Sequence, residues 1–335
     1  MAIVKLSFDF NPVVTTYHHL THPLGIVGGN LPDKSVWFPW LCNKYINCCY
    51  TVGPQKRFWL YTVDPFFIHE GIIESLEFKM RPEKYQSFLN LNINIFTEQI
   101  KNILLSGSYI HGMHNERYVG ATSSYGKRDF SHDYLLFGFS DELGGFYAAG
   151  YAANGRYQEY EIPYHEYYNS IFQVACEPLL FRVLRFNQKK PSYNPNYSVI
   201  IRDINHYLNS TAYNSNKEVE EIYGLSAWDK LSEYISQTDK IDIRFTKIFM
   251  EHHKLMNLRL KYFAEQGIID TQTFKSYLPV KECSEIVYLS SIKYNITRRE
   301  NIKNDIVLRI RKVIESDKEI LPKVVQQIEK NVADL

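Results

Sequence analysis

The chain has no apolar run approaching the ~20 residues that span a bilayer. Its opening stretch, MAIVKLSFDF, lacks the long apolar core of a secretion signal. Together these absences set the expectation of a cytoplasmic protein that makes no use of a membrane. Charge of one sign is missing too. Against 37 acidic residues stand 38 basic ones, a net charge of +1, without the excess that would steer a chain to nucleic acid. Cysteine is scarce and odd in number. Cys42, Cys48, Cys49, Cys176 and Cys283 show no CxxC spacing, so neither a disulfide framework nor a zinc ribbon is indicated, and reduced thiols are expected. There is no HExxH. The glycine-rich GIVGG has no βαβ pattern before it and no lysine after it, so it is not read as a phosphate or dinucleotide loop. No cofactor is implied.

What is present is enough apolar residue, 45% of 335, to bury a sizeable core in two domains or in one domain with a sizeable extension. The texture changes once. Up to LLFRVLRFNQKK, short apolar alternations are broken by turn signals, whereas from Ile201 onward apolar residues recur three and four apart, as on amphipathic helices. This predicts an α+β domain over residues 1–190 and a helical subdomain over 200–335, joined through NQKKPSYNPNYS. Gly267 stops one long helix, and Pro322 is expected to kink or divide the last one.

The first half carries the chemistry. NINIFTEQIKNILLSGSYIHGMHNERYVG reads as a helix, with Thr97 as a possible cap, ended by Ser106-Gly107 and followed by a strand. Next, FSHDYLLFGFSDELGGFYAAGY reads as a β-hairpin with His132 at its mouth. GRYQEYEIPYHEYYNSI then passes from strand to helix at Pro163. Other histidines invite a metal reading: HHxxH at His18, His19 and His22, the pair His111 and His114, and Glu251 with His252 and His253. His18 and His22 share a face only in a helix, and Pro23 suits a loop. His111 and His114 point to opposite faces of a strand. No metal site is assigned.

The order of helix, strand, histidine-led hairpin and strand resembles the distal half of the papain-like cysteine protease fold. The variant it resembles is that of butirosin biosynthesis protein H and related acyltransferases, along with bacteriocin-processing peptidases. The resemblance covers about Phe96 to Tyr164. It implies a papain-like α+β domain with an antiparallel sheet, in which IKNILLSGSYIHGMHNERYV supplies a groove-lining strand and His132 is the general base. Two features depart from the family. Its nucleophilic cysteine starts an early helix, but TYHHLTHPLGIVGGN has none. Where an Asp or Asn would orient the histidine, the returning strand has Ala148 and Ala149, with Asn154 in the next loop as a substitute.

Cys42 is the replacement nucleophile in the right chain order. In DKSVWFPWLCNKYINCCYTVG, the spacing of Leu41, Tyr45, Cys48, Cys49 and Val52 is helical, and Pro39 suits a first turn. Cys42 would then lie near a helix N-terminus, where the macrodipole lowers a thiol pKa. The same stretch also parses as two β-rich runs joined by GPQK, which would leave Cys42 without activation.

On resemblance, the expected function is transfer of an acyl, aminoacyl or peptidyl group from a carrier-bound thioester to an amine, in the biosynthesis of a small natural product. An acyl or peptidyl carrier protein and a small amine or peptide are the implied partners. The basic run with Arg298, Arg299, Lys303, Arg309, Arg311 and Lys312 is either a solvated face or a dock for an acidic carrier. The alternative is a catalytically degenerate papain-like protein that binds a peptide or a carrier-bound intermediate.

Overall fold

Alternating apolar residues and a turn of small ones make the centre of the first half a β-meander. A computed structural model describes the backbone of residues 2–53, 56–60, 67–68, 70–80, 92–172, 179–189, 194–212 and 220–332, and their side chains except at 77–80 and 179–181. The chain divides into two units. Residues 1–34 and 64–191 form the first, and 35–63 and 192–335 the second.

The sheet of the first unit is antiparallel throughout. Its strands are β1 (Ile3–Lys5), β4 (Ile73–Met80), β5 (Tyr109–Asn115), β6 (Ser131–Ser140), β7 (Gly145–Tyr151), β8 (Tyr157–Pro163) and β9 (Leu179–Phe186). They lie in the order β4-β9-β5-β6-β7-β8, and β1 pairs with the end of β6 beyond the stretch that β5 covers. The expected hairpin is β6 and β7. A bulge between Leu136 and Gly138 shifts the side-chain parity, so that Phe139 joins Leu136 on one core face. Gly138 itself has no room for a side chain, since a Cβ there would lie 2.2 Å from the carbonyl oxygen of Val4.

Helices cover both faces of this sheet. α3 (Ile93–Leu105) and α4 (Tyr164–Phe172) place Phe96, Ile100, Leu104, Tyr167 and Ile171 on Ile110, Tyr134, Leu136, Phe146, Ala148 and Ile162. Asn92, not Thr97, caps α3, accepting from the amide of Asn94, while Thr97 is buried within the helix. α4 starts directly after Pro163, as predicted. The other face meets α1 (His18–Asn30), where His22 touches His111 and Asn30 donates to the Tyr109 hydroxyl at 2.9 Å. Pro23 lies inside α1 rather than in a loop. The GIVGG glycines are packing glycines. A Cβ on Gly29 would fall 2.4 Å from the amide nitrogen of Phe8, so the backbone of the entering segment lies directly on the helix.

The second unit has a small antiparallel sheet of β10 (Glu221–Tyr223), β2 (Cys48–Thr51) and β3 (Arg57–Leu60). Its helices are α2 (Lys34–Leu41), α5 (Tyr197–Leu208), α6 (Gly224–Gln237), α7 (Ile243–Glu265), α8 (Thr271–Thr297) and α9 (Glu300–Val332). The pairing of β2 with β10 is what draws residues 35–63 into this unit. α7, α8 and α9 pack in succession, and α9 also meets α5 and α6. Pro322 does not divide α9, which runs unbroken for 33 residues. The helix expected across Cys48 and Cys49 is not formed. Both residues lie in β2, matching the alternative of two β-rich runs.

Candidate active site

His132 enters the site from the second position of β6, opposite His114 of β5. Its side chain is 32% exposed, whereas that of Glu116 beside it is nearly buried. The two are joined by a hydrogen bond of 2.7 Å between His132 Nδ1 and Glu116 Oε1. A carboxylate can only accept, so the ring donates from Nδ1, and in the neutral ring the lone pair is on Nε2. That is the tautomer a general base needs.

Local sequence explains why Glu116 stands there. β5 ends at Asn115, and a 3-10 turn, Glu116–Tyr118, follows at once. Asn115 Oδ1 accepts from the amides of Arg117 and Phe130, tying the turn to the start of β6. Its Nδ2 donates to Asp129, whose carboxyl this bond and then Arg117 hold below the usual range. The carbonyl of Glu116 accepts from Thr122 Oγ1 at 3.0 Å, and its amide donates to the Phe130 carbonyl at 2.9 Å. The orienting acid therefore comes from before the hairpin. Ala148 and Ala149 are core residues, and Asn154 bonds Gln158 and the amide of Arg156 in its own turn.

His18 lies against His132. It is the first residue of α1, and the two rings stack with centroids 4.4 Å apart at 29°. His18 Nδ1 is 2.7 Å from the carbonyl oxygen of Asp133. A carbonyl only accepts, so the proton is on Nδ1. Among the described residues Nε2 is buried without a hydrogen-bond partner. The stack continues inward from His18 to His22 at 4.9 Å and from His22 to His111 at 5.3 Å, with Tyr151 on His18 at 5.2 Å.

Burial dominates the protonation of these rings. It pushes His18 well below its ordinary value, helped by His132 and His22 and opposed by the Asp133 carbonyl. His22 is lowered by burial and then by His111, against the Ala149 carbonyl; His111 is lowered by burial and then by Arg182. His114 falls to about 3, by burial and then by His132. Unfolded histidines take up protons near pH ~6.5, and these folded ones do not. The stability they contribute is therefore complete above that pH and is lost as pH falls below it, for His114 down to about 3. Going from about pH 7 to 5.5 is expected to lower the unfolding free energy by on the order of 1 kcal/mol for each such histidine. Urea unfolding at the two pH values measures this. His114→Phe, which keeps a ring on Tyr134, should flatten the dependence, and a midpoint that rises on acidification would contradict it.

The metal readings gather only in part. His18, His22 and His111 come together and His19 stacks on Tyr17, but among the described residues no three His, Cys, Asp or Glu side chains are arranged to hold a metal ion. In the second unit, His252 Nε2 lies 2.8 Å from the Ile46 carbonyl oxygen and His253 Nε2 lies 3.1 Å from Asp317. Glu251 reaches Lys247 at 3.9 Å.

Cys42 also belongs to the second unit, whereas His132 belongs to the first. It follows the last residue of α2 instead of standing in the first turn of a helix, so the macrodipole argument for its thiol does not apply. The side chain is fully buried, and its thiol is pushed up to about 12 by burial against a weaker pull from Arg259. Arg259 donates to the carbonyls of Cys42 and Lys44 at 2.7 and 2.6 Å, making this loop part of the core. Cys48, Cys49 and Cys283 are likewise buried free thiols, and Cys176 lies outside the described residues. In the basic run, Lys303 pairs with Glu300 and Arg309 with Asp305, and Arg298 donates to the Asp239 carbonyl. Arg299, Arg311 and Lys312 are exposed. No helix of the described chain is long and apolar enough to cross a membrane.

No protein-family model matches this chain, and no curated protein is significantly similar to it.

Proposed function

We propose that the first unit is a papain-like acyl-transfer domain, working without a cysteine, that moves an acyl, aminoacyl or peptidyl group from a carrier-bound thioester to an amine. The observation that carries the reading is the hydrogen bond between His132 and Glu116. It supplies the oriented imidazole that the resemblance requires and that Ala148 and Ala149 do not provide. The incoming amine loses a proton to His132 Nε2 as it attacks the acyl carbonyl, and Glu116 supports the charge that develops on the ring. A product amide of a small natural product, and a carrier docked at Arg298, Arg299 and Arg311, follow from the resemblance. Charge reversal at these three arginines that left carrier binding intact would remove the docking site.

The buried Cys42 thiol, pushed up to about 12, supports a reaction that does not use it. The test is release of free thiol from S-acetyl-N-acetylcysteamine with and without a primary amine, for wild type and Cys42→Ala. Release that depends on the amine and is equal in both proteins is expected. Release lost in Cys42→Ala would overturn the thiol-free mechanism. A second reading, a noncatalytic domain that binds a peptide or carrier-bound intermediate, is favoured by His18 standing at the start of α1, where the resembled family carries its thiol. It prevails if wild type shows no release that depends on the amine.

A further inference from the structure

The ring nearest the His132 base, at 4.4 Å between centroids, carries a lone pair that no described residue hydrogen-bonds. His18 is 4% exposed, its Nδ1 is committed to the Asp133 carbonyl, and its Nε2 has no partner among the described residues. Buried polar atoms are nearly always satisfied, because leaving one unpaired forfeits its hydration. A neutral imidazole with a free Nε2 is already a nucleophile, because it needs no base to strip a proton before attacking a carbonyl. Burial keeps the ring neutral, well below its ordinary titration range. Gly150 lets Tyr160 and His18 close over the backbone here, since a Cβ on it would lie 3.0 Å from the Tyr160 hydroxyl and 3.4 Å from His18 Cε1.

We infer that His18 Nε2 takes the acyl group before the amine does, an inference that rests on the acyl-transfer reading above. The Nε2 lone pair attacks the thioester carbonyl. A C–N bond forms, the C–S bond breaks, and the sulfur leaves as thiolate with the electron pair. His18 is then an N-acylimidazolium whose Nδ1–H still donates to the Asp133 carbonyl. The amine attacks the same carbonyl carbon, the bond to His18 breaks, and the amine proton passes to His132 Nε2 and on to the thiolate. Thioester and amine become amide and thiol, and both histidines return to the neutral form. Acyl-imidazoles are prone to hydrolysis, so a nitrogen shielded from solvent is a suitable place to hold one.

The experiment is intact-protein and peptide mass spectrometry after mixing the full chain with S-acetyl-N-acetylcysteamine in the absence of amine. Wild type is expected to gain one acetyl group that maps to His18 and is removed by hydroxylamine, which leaves acetyl-lysine untouched. His18→Ala should lack it. His132→Ala should form it but fail to discharge it when amine is added. His18→Cys keeps the test readable if the alanine variant does not fold, because its adduct becomes a thioester at the same position. Persistence of the labile acetyl group in His18→Ala would overturn the inference. So would amine-dependent thiol release in wild type without any adduct, which would leave the acyl-transfer reading standing with direct attack by the amine. Absence of both adduct and release would defeat the two together.

Discussion

His132→Ala is expected to lower amine-dependent thiol release by about 10²–10⁴-fold, the usual contribution of a positioned general base. The loss should fall on kcat/KM and remove the limb of the pH profile that reports the base. The variant should still fold, because the side chain is one-third exposed and its principal bond is to Glu116. Glu116→Gln is the sharper probe. A glutamine can donate to Nδ1 as well as accept from it, so it permits the tautomer that carries its proton on Nε2 and cannot act as a base. Its cost should approach that of removing the imidazole, although both side chains remain in place. Circular dichroism and the urea midpoint separate chemistry from folding. Equal activity of wild type and both variants, all folded, would remove His132 from the mechanism.

The residues that fold the first unit are local, and they were readable. The alternation in β6 and β7 around a Ser-Asp-Glu-Leu-Gly-Gly turn, the passage from strand to helix at Pro163, and the stop at Gly107 each depend on neighbours within a few positions. Glu116 was not readable as the partner of His132. The pairing of His114 with His132 fixes which residue of the Asn115-Glu116-Arg117 turn can reach the ring, and such a register depends on the packed sheet. The same limit applies to residues 35–63. Their helical spacing was overridden by pairing of Cys49 with Tyr223 and with Trp59, the first of which closes a very long loop. Pro23 and Pro322 lie inside helices because tertiary packing outweighs the lost hydrogen bond and ring clash that proline brings. Segments of the second half carry their own periodicity, so their helical state was plain.

The second large effect is expected in the core of the second unit. Asp317 of α9 is fully buried, and its Oδ2 accepts from the Tyr207 hydroxyl at 2.5 Å and lies 3.1 Å from His253 Nε2. The Tyr207 hydroxyl in turn accepts from Trp228 Nε1 at 3.1 Å, while His253 Nδ1 is 2.7 Å from the Phe249 carbonyl oxygen. One carboxylate thus joins α5, α6 and α7 to α9 in an apolar interior. Burial and then Asp317 push the Tyr207 hydroxyl well above its ordinary value, so it stays a donor. Asp317→Ala removes the acceptor of the Tyr207 hydroxyl and the polar partner of His253 Nε2 in a buried site, which is expected to cost about 3–5 kcal/mol. Asp317→Asn retains an oxygen for Tyr207 and should cost less. The comparison with His253→Ala and the double variant isolates the pair, and direct contact predicts a coupling of about 0.5–3 kcal/mol. Urea unfolding followed by tryptophan fluorescence measures all four variants. An alanine variant within about 1 kcal/mol of wild type would mean that water enters and satisfies both groups, and that this network does not hold the four helices together.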